Sequence, residues 1–208
     1  MRVVRIYGGS NNVRNAPPAP SGMEVWCINN PRAYRIQRLP AFREWTRWFN
    51  LHTVAHQKAR YPTGYTFYTK QDSTRPIYLQ EVDPAIPASV RFPRETLQEY
   101  FKTSHKPQRY FTCSSVWLIA FAIYEQFERI ELWGNQMKVN GEHRGQREGY
   151  LYWVELARAK GIEVVIPRGC IGHPKGDGTP TVAGDPNAYK GPLYGYEPHT
   201  AFYRETFG

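Results

Sequence analysis

Polar residues suited to phosphate or nucleotide chemistry follow two predicted strands at the points where those strands end. A Gly-Gly-Ser-Asn-Asn loop follows the apolar run Val3–Tyr7, and two asparagines follow Met23–Ile28. Glycines let backbone N–H groups approach a phosphate, and an asparagine amide can read a base edge or sugar hydroxyls. A simple turn and ordinary capping are the alternatives. The candidate nucleotide-binding residues are Gly8, Gly9, Ser10, Asn11, Asn12, Asn29 and Asn30.

A third cluster opens the strongest predicted helix, at Thr112-Cys113-Ser114-Ser115. Hydroxyls beside the free N–H groups of a helix N-terminus form an anion site, so Thr112, Ser114 and Ser115 are further candidates for nucleotide binding. N-capping by Thr112 or Ser114 is the alternative interpretation. No residue near Cys113 in sequence supplies a base, which disfavours this thiol as a nucleophile.

Three histidines and an arginine are candidates for catalysis. His52 follows a predicted strand at Trp48–Leu51, where a general base would be well placed. A strand is also predicted at Arg129–Trp133. The segment after it contains a histidine that could act as a base and an arginine that could bind a phosphate, and the alternative interpretation of this segment is a solvated loop. His52 and His56 have i, i+4 spacing, but we predict no metal site. The candidates from the later part of the chain are Gly134 and Gln136 for nucleotide binding, and His143, Arg147 and His173 for catalysis.

Alternating helices and strands must position these residues. Helices are predicted at Arg94–Phe101, Cys113–Phe127 and Arg147–Lys160, the last closed by Gly161, and further strands at Ile77–Leu79 and Ile162–Ile166. This order predicts a single Rossmann-like α/β domain over residues 1–168, with a mostly parallel sheet flanked by helices. Residues 169–208 are predicted to form an irregular C-terminal extension packed on that domain. In such sheets, ligands bind beyond the carboxyl ends of the strands.

Charge and composition narrow the classes of partner. The chain has 208 residues and a formal net charge of +9. Residues 1–70 hold eleven Lys/Arg and only two acids, which points to a polyanionic ligand facing that third, with a generally basic surface as the alternative. Three cysteines without a CxxC motif, no secretory segment and no long apolar run predict a cytoplasmic protein without a membrane partner. Neither GxGxxG nor a P-loop is present.

The order of these motifs resembles a known group. The segments are YGGSNNVRNAP, VWCINN, WFNLH and FTCSSVWLIAFAIYEQFERIELWG. They are similar to phage-encoded small Rossmann-like proteins and, more distantly, to bacterial sialyltransferases with a single Rossmann-like domain. The resemblance implies a nucleotide-sugar donor held by Gly9, Asn11, Asn29, Ser114 and Ser115. It also implies a catalytic histidine in a late loop, for which His143 or His173 is nearest.

These observations predict a metal-independent glycosyltransferase-like enzyme that uses a nucleotide sugar and no further cofactor. DNA is a possible acceptor, consistent with modification of phage nucleic acid in the cytoplasm of an infected bacterial host. The alternatives are a non-catalytic nucleotide or nucleic-acid binding protein, and a virion or assembly component on the same fold.

Overall fold

A computed structural model describes residues 1–9, 11–29, 41–102, 110–136, 140–168 and 170, with backbone alone at 11, 12, 41, 42 and 140–145. Seven strands form one sheet in the order β5-β4-β3-β2-β1-β6-β7, and every pairing is parallel. The predicted Rossmann-like α/β fold is confirmed. The strands are β1 (Val3–Tyr7), β2 (Glu24–Ile28), β3 (Arg47–Asn50), β4 (Ile77–Leu79), β5 (Ser89–Arg91), β6 (Arg129–Trp133) and β7 (Glu163–Val165).

Helices connect most of the strands. The connection from β1 to β2 carries only a short 3₁₀ helix, Asn11–Asn15, whereas a 20-residue helix joins β6 to β7. None of the helices within the described part of the chain is long and apolar enough to span a membrane. The α-helices are α1 (Ala41–Glu44), α2 (Val54–Arg60), α3 (Pro62–Thr69), α4 (Arg94–Tyr100), α5 (Ser114–Tyr124) and α6 (Asn140–Ala159).

The order of the strands places a switch point between β1 and β6. From β1 the chain builds one side of the sheet through β2, β3, β4 and β5, and then returns to the other side for β6 and β7. Connections from β1 and β6 therefore leave in different directions, which is the arrangement at which open parallel sheets bind ligands. The sheet thus provides the location at which this class of fold binds ligands.

Both faces of the sheet are covered. Val4 and Ile6 of β1 belong to one apolar cluster, which includes Trp117 of α5 and Trp153 of α6. The intervening side chains of β1 point the other way, and Tyr7 packs in a second cluster with residues of the 3₁₀ helix and α3. This alternation is the period-2 geometry of a strand with two buried faces.

Helix α5 differs from its predicted form. The spacing of Val116, Ile119 and Ala120 predicted one apolar stripe, but all residues from Ser114 to Ile123 are buried. The helix is enclosed by the sheet and its neighbouring helices, so its whole circumference is buried. It also ends at Tyr124, three residues before the predicted end at Phe127.

Other differences lie in the middle and at the end of the chain. The sequence did not predict β5 or the helices α1, α2 and α3, and α6 begins seven residues before the predicted start at Arg147. Of the predicted extension over 169–208, only Cys170 is described, and its side chain is fully buried in the first apolar cluster. The rest of that prediction lies outside the described residues.

Candidate functional site

The carboxyl ends of β1 and β6 meet through two glycines. The Gly8 amide donates to the Trp133 carbonyl at 2.7 Å. A Cβ on Gly8 would lie 2.4 Å from the Gly134 oxygen, and one on Gly134 would lie 2.3 Å from Val13 Cγ2. Gly134 also has a φ of +76°, which glycine adopts freely. Both glycines therefore allow the two loops to pack closely against each other. Gly9 is exposed, with nothing within 4 Å of its Cβ position.

The N-terminus of α5 is tied to the ends of two strands. Ser114 Oγ donates to Asn29 Oδ1 beyond β2 at 3.3 Å. Ser115 Oγ donates to Asn135 Oδ1 beyond β6 at 2.6 Å. The N-cap residue is Cys113, and no side chain caps the helix. The capping interpretation for Ser114 is therefore wrong, because its hydroxyl bridges to a strand end.

Thr112 has a different role from the two serines. Its side chain is 1% exposed, and its hydroxyl donates to the Gln146 carbonyl of α6 at 3.0 Å. Gly149 makes room for this contact, since a Cβ there would lie 2.2 Å from Thr112 Oγ1. Thr112 therefore joins α6 to the start of α5, and the capping interpretation for it is wrong, because Cys113 is the N-cap residue.

Asn29 is held in an uncommon backbone conformation by hydrogen bonds. Its φ is +58°, and its amide donates to the Phe49 carbonyl at 2.8 Å. Its carbonyl accepts from Trp48 Nε1 at 2.8 Å and from the Tyr68 hydroxyl at 2.6 Å. Asparagine tolerates this left-handed region better than most residues. The backbone thereby turns the Asn29 side chain toward α5.

A network of buried polar side chains holds the backbone of Asn29 in place, and the sequence did not predict this network. Asn50, at the end of β3, is fully buried and donates from Nδ2 to the Tyr68 hydroxyl at 3.0 Å. Asn50 Oδ1 accepts from Gln57 Nε2 at 2.7 Å and from the His52 amide at 3.3 Å. Burial raises the pKa of the Tyr68 hydroxyl, which stays protonated and donates to Asn29. An asparagine inside the predicted strand WFNL was the available signal.

His52 lies just beyond β3, as predicted, and its ring is half-buried. The ring stacks on His56 with 5.0 Å between centroids and 27° between planes. The hydroxyl of Thr53 accepts from the His56 amide at 3.2 Å and caps α2. Within the described part of the chain, no three His, Cys, Asp or Glu side chains are grouped to hold a metal ion.

The other candidates are only partly placed. Arg147 lies half-buried on α6, and Gln136 lies half-buried in the loop after β6. His143 is in the first half of α6, and Asn11 and Asn12 open the 3₁₀ helix, with backbone alone described at these three positions. Ser10, Asn30 and His173 lie outside the described residues.

Three of the eleven cations of residues 1–70 form ion pairs within the protein. Arg5 forms a buried ion pair with Glu131 at 2.8 Å, within the sheet. Arg47 begins β3, at the opposite edge from the candidate site, and pairs with Glu24 at 2.8 Å and Glu125 at 2.7 Å. Arg2, just before β1, shares those two acids. These three cations therefore stabilise the sheet and the amino ends of its strands.

The arrangement at the carboxyl edge is suited to an anion. The first turn of a helix without a side-chain cap, two hydroxyls, two asparagine amides and an open glycine surround the switch point, and none of these groups is acidic. The positive end of the α5 dipole adds to this preference. Comparisons of the chain with protein-family models, with curated proteins and with solved structures find no match.

Proposed function

We propose that the chain binds the phosphate of a nucleotide sugar at the carboxyl edge of the sheet and transfers the sugar to an acceptor hydroxyl. The observation that carries this proposal is the pair of hydrogen bonds from Ser114 to Asn29 and from Ser115 to Asn135. They bring the N-terminus of α5 to the ends of β2 and β6, on either side of β1. The resemblance described above points to the same class of reaction.

Phosphate binding at this place follows from electrostatics. The first-turn N–H groups of α5 carry partial positive charge and have no side-chain cap. Gly9 offers an open backbone beside them, since nothing lies within 4 Å of its Cβ position. The Asn29 amide is rigidly placed and can read the ribose or base through its NH₂ group.

The proposed reaction needs a base and a stabilised leaving group. His52 accepts the proton of the acceptor hydroxyl, whose oxygen forms a bond to the anomeric carbon of the sugar. The bond from that carbon to the phosphate oxygen breaks, and the nucleotide leaves with the electron pair. The N–H groups of α5 stabilise its added negative charge, and Arg147 on α6 is the candidate second donor.

A thermal-shift panel of nucleotides and nucleotide sugars tests donor binding. A ligand at 100 times its Kd stabilises the native state by about 2.7 kcal/mol. We expect Ser114→Ala to weaken nucleotide binding about two- to tenfold, the value of one hydrogen bond. The matched control is Ser89→Ala, because Ser89 lies on the remote strand β5. A panel without any shift contradicts the proposal.

The catalytic step is tested separately from binding. We expect His52→Gln to retain donor binding and to lose transfer to an acceptor, measured as release of the free nucleotide. General-base catalysis contributes about 10²- to 10⁴-fold to the rate, which sets the size of the expected loss. If nucleotides bind but His52→Gln leaves turnover unchanged, His52 is not the base. Binding without turnover in the unmodified protein instead identifies a non-catalytic nucleotide-binding protein.

A further inference from the structure

We propose that a surface on and beside α2 binds single-stranded nucleic acid as the acceptor. This surface consists of a row of three rings, His52, His56 and Tyr61, and two cations, Lys58 and Arg60. This inference rests on the proposed transfer reaction, in which His52 faces the acceptor. The five residues are called the α2 ladder below. They belong to α2 and its two flanking connections.

The rings of the α2 ladder lead outward from the candidate site. His52 stacks on His56 at 5.0 Å, and the His56 ring lies 5.8 Å from that of Tyr61. Tyr61 is 40% exposed, whereas both histidines are half-buried. An exposed aromatic face at the end of a row of rings is a platform on which a base can stack, whatever the base.

The charge beside the rings has one sign. No Asp or Glu occurs from residue 45 to residue 71. Lys58 and Arg60 are exposed, and neither forms an ion pair with a described residue. Lys58 Nζ lies 4.7 Å from the Tyr65 ring centroid, so a cation–π contact holds it on the helix surface. Cations flanking exposed rings fit a phosphate backbone whose bases stack.

The ladder begins at the proposed reaction centre. The His52 amide donates to Asn50 Oδ1 at 3.3 Å, and Asn50 is joined through Tyr68 to Asn29. The start of the ladder is thus hydrogen-bonded, through Asn50 and Tyr68, to the backbone of Asn29, which is one of the residues proposed to hold the donor. Bases in a duplex are paired and stacked on one another, so their faces are closed to such a platform. Single-stranded nucleic acid is the form that fits.

Fluorescence anisotropy with a labelled oligo-dT of about 12 nucleotides tests this surface. We expect Tyr61→Ala to weaken binding roughly 5- to 150-fold, the value of one stacked base, and Tyr61→Phe to restore it. We expect Arg60→Ala to reduce the slope of log Kd against log salt by about 0.7, measured between about 50 and 200 mM salt. A duplex of the same length should compete poorly.

Tyr100→Ala and Lys102→Ala are the matched controls, because Tyr100 is 48% exposed on α4 and Lys102 follows that helix. Equal effects of Tyr61→Ala and Tyr100→Ala, or equal affinity for duplex and single strand, overturn the inference. Nucleotide-induced thermal shifts should be unchanged in Tyr61→Ala. If the oligonucleotide binds through Tyr61 but no nucleotide shifts the melting temperature, the ladder stands and the proposed transferase function fails.

Discussion

Gly8 shows how a single missing side chain shapes the candidate site. Its Cβ position is occupied by the Gly134 carbonyl oxygen at 2.4 Å and by Asn135 Oδ1 at 2.7 Å. The same Asn135 oxygen accepts the Ser115 hydroxyl at 2.6 Å. Any side chain at Gly8 would therefore displace the loop after β6 and, with it, the contact that fixes the start of α5.

We expect Gly8→Ala to destabilise the protein by about 1–3 kcal/mol, the usual cost of overpacking. The obstructing atoms are largely backbone and cannot move aside cheaply. Gly9→Ala is the control, since open space surrounds its Cβ position. The free energy of unfolding from urea titrations measures both. Equal stabilities of the two variants would contradict the close contact between the loops.

Among the elements, the polar network joins β2, β3, α2 and α3 beneath the site. Tyr68 is the central residue of this network, because its hydroxyl accepts a hydrogen bond from Asn50 and donates one to the Asn29 carbonyl. Gln57 extends the network onto α2, where its Oε1 is buried without a hydrogen-bond partner among the described residues. The left-handed backbone of Asn29 is thus maintained by elements that are separate in sequence.

Tyr68→Phe should cost about 1–3 kcal/mol, because it leaves Asn50 Nδ2 buried without an acceptor. It should also weaken nucleotide binding, since Asn29 loses one of the two donors to its carbonyl. Tyr65→Phe is the matched control: its hydroxyl donates to Asp83, which keeps the Ala85 amide as a second donor. Calorimetric titration with the best nucleotide and urea unfolding give both quantities. A Tyr68→Phe protein as stable as Tyr65→Phe would contradict the network.

The sequence was informative where local patterns decide the element. A β-branched apolar run predicted β1, and a short segment ending at a glycine predicted β6, both with their observed bounds. Gly161 has the φ of +80° expected after a helix. Strand β5 is only three residues long and partly exposed, so it carries no comparable pattern. Helix α6 extends through two glycines at its start, against their low helix propensity.

Partners of the site side chains could not be predicted from local patterns. Ser114 bonds to a residue 85 positions away, Thr112 to one 34 away and Ser115 to one 20 away. A capping interpretation considers only the nearest backbone groups, so it missed all three contacts. The ion pair of Arg5 with Glu131 spans 126 positions, which is why net charge by segment overstated the charge available to a ligand.

At the scale of the whole molecule, burial of tyrosines on both sides of the sheet couples stability to alkaline pH. Burial raises the pKa of these hydroxyls above the ordinary value near 10, while the unfolded chain releases the same protons near that value. The unfolded state then binds fewer protons than the native state, so stability is full below pH 10 and falls above it. The tyrosines concerned are Tyr7, Tyr68, Tyr78, Tyr150 and Tyr152.

We expect the urea midpoint to fall as the pH rises above about 10, each buried tyrosine adding at most about 1.4 kcal/mol per pH unit to the slope. Tyr150→Phe should flatten the slope by one such increment, because the Tyr150 hydroxyl is buried without a hydrogen-bond partner among the described residues. Tyr100→Phe, at an exposed position, should leave it unchanged. A slope that Tyr150→Phe does not alter would contradict this origin.

The position of β1 in the centre of the sheet has a consequence for synthesis on the ribosome. One neighbour, β2, follows within about twenty residues, but Glu131 of β6 is 126 positions beyond Arg5. At about 5–20 residues per second, that interval lasts roughly 6–25 s. During this interval the nascent chain has an unpaired edge at β1, and Arg5 lacks its partner Glu131. Chaperone binding and aggregation therefore compete with folding at this stage of synthesis.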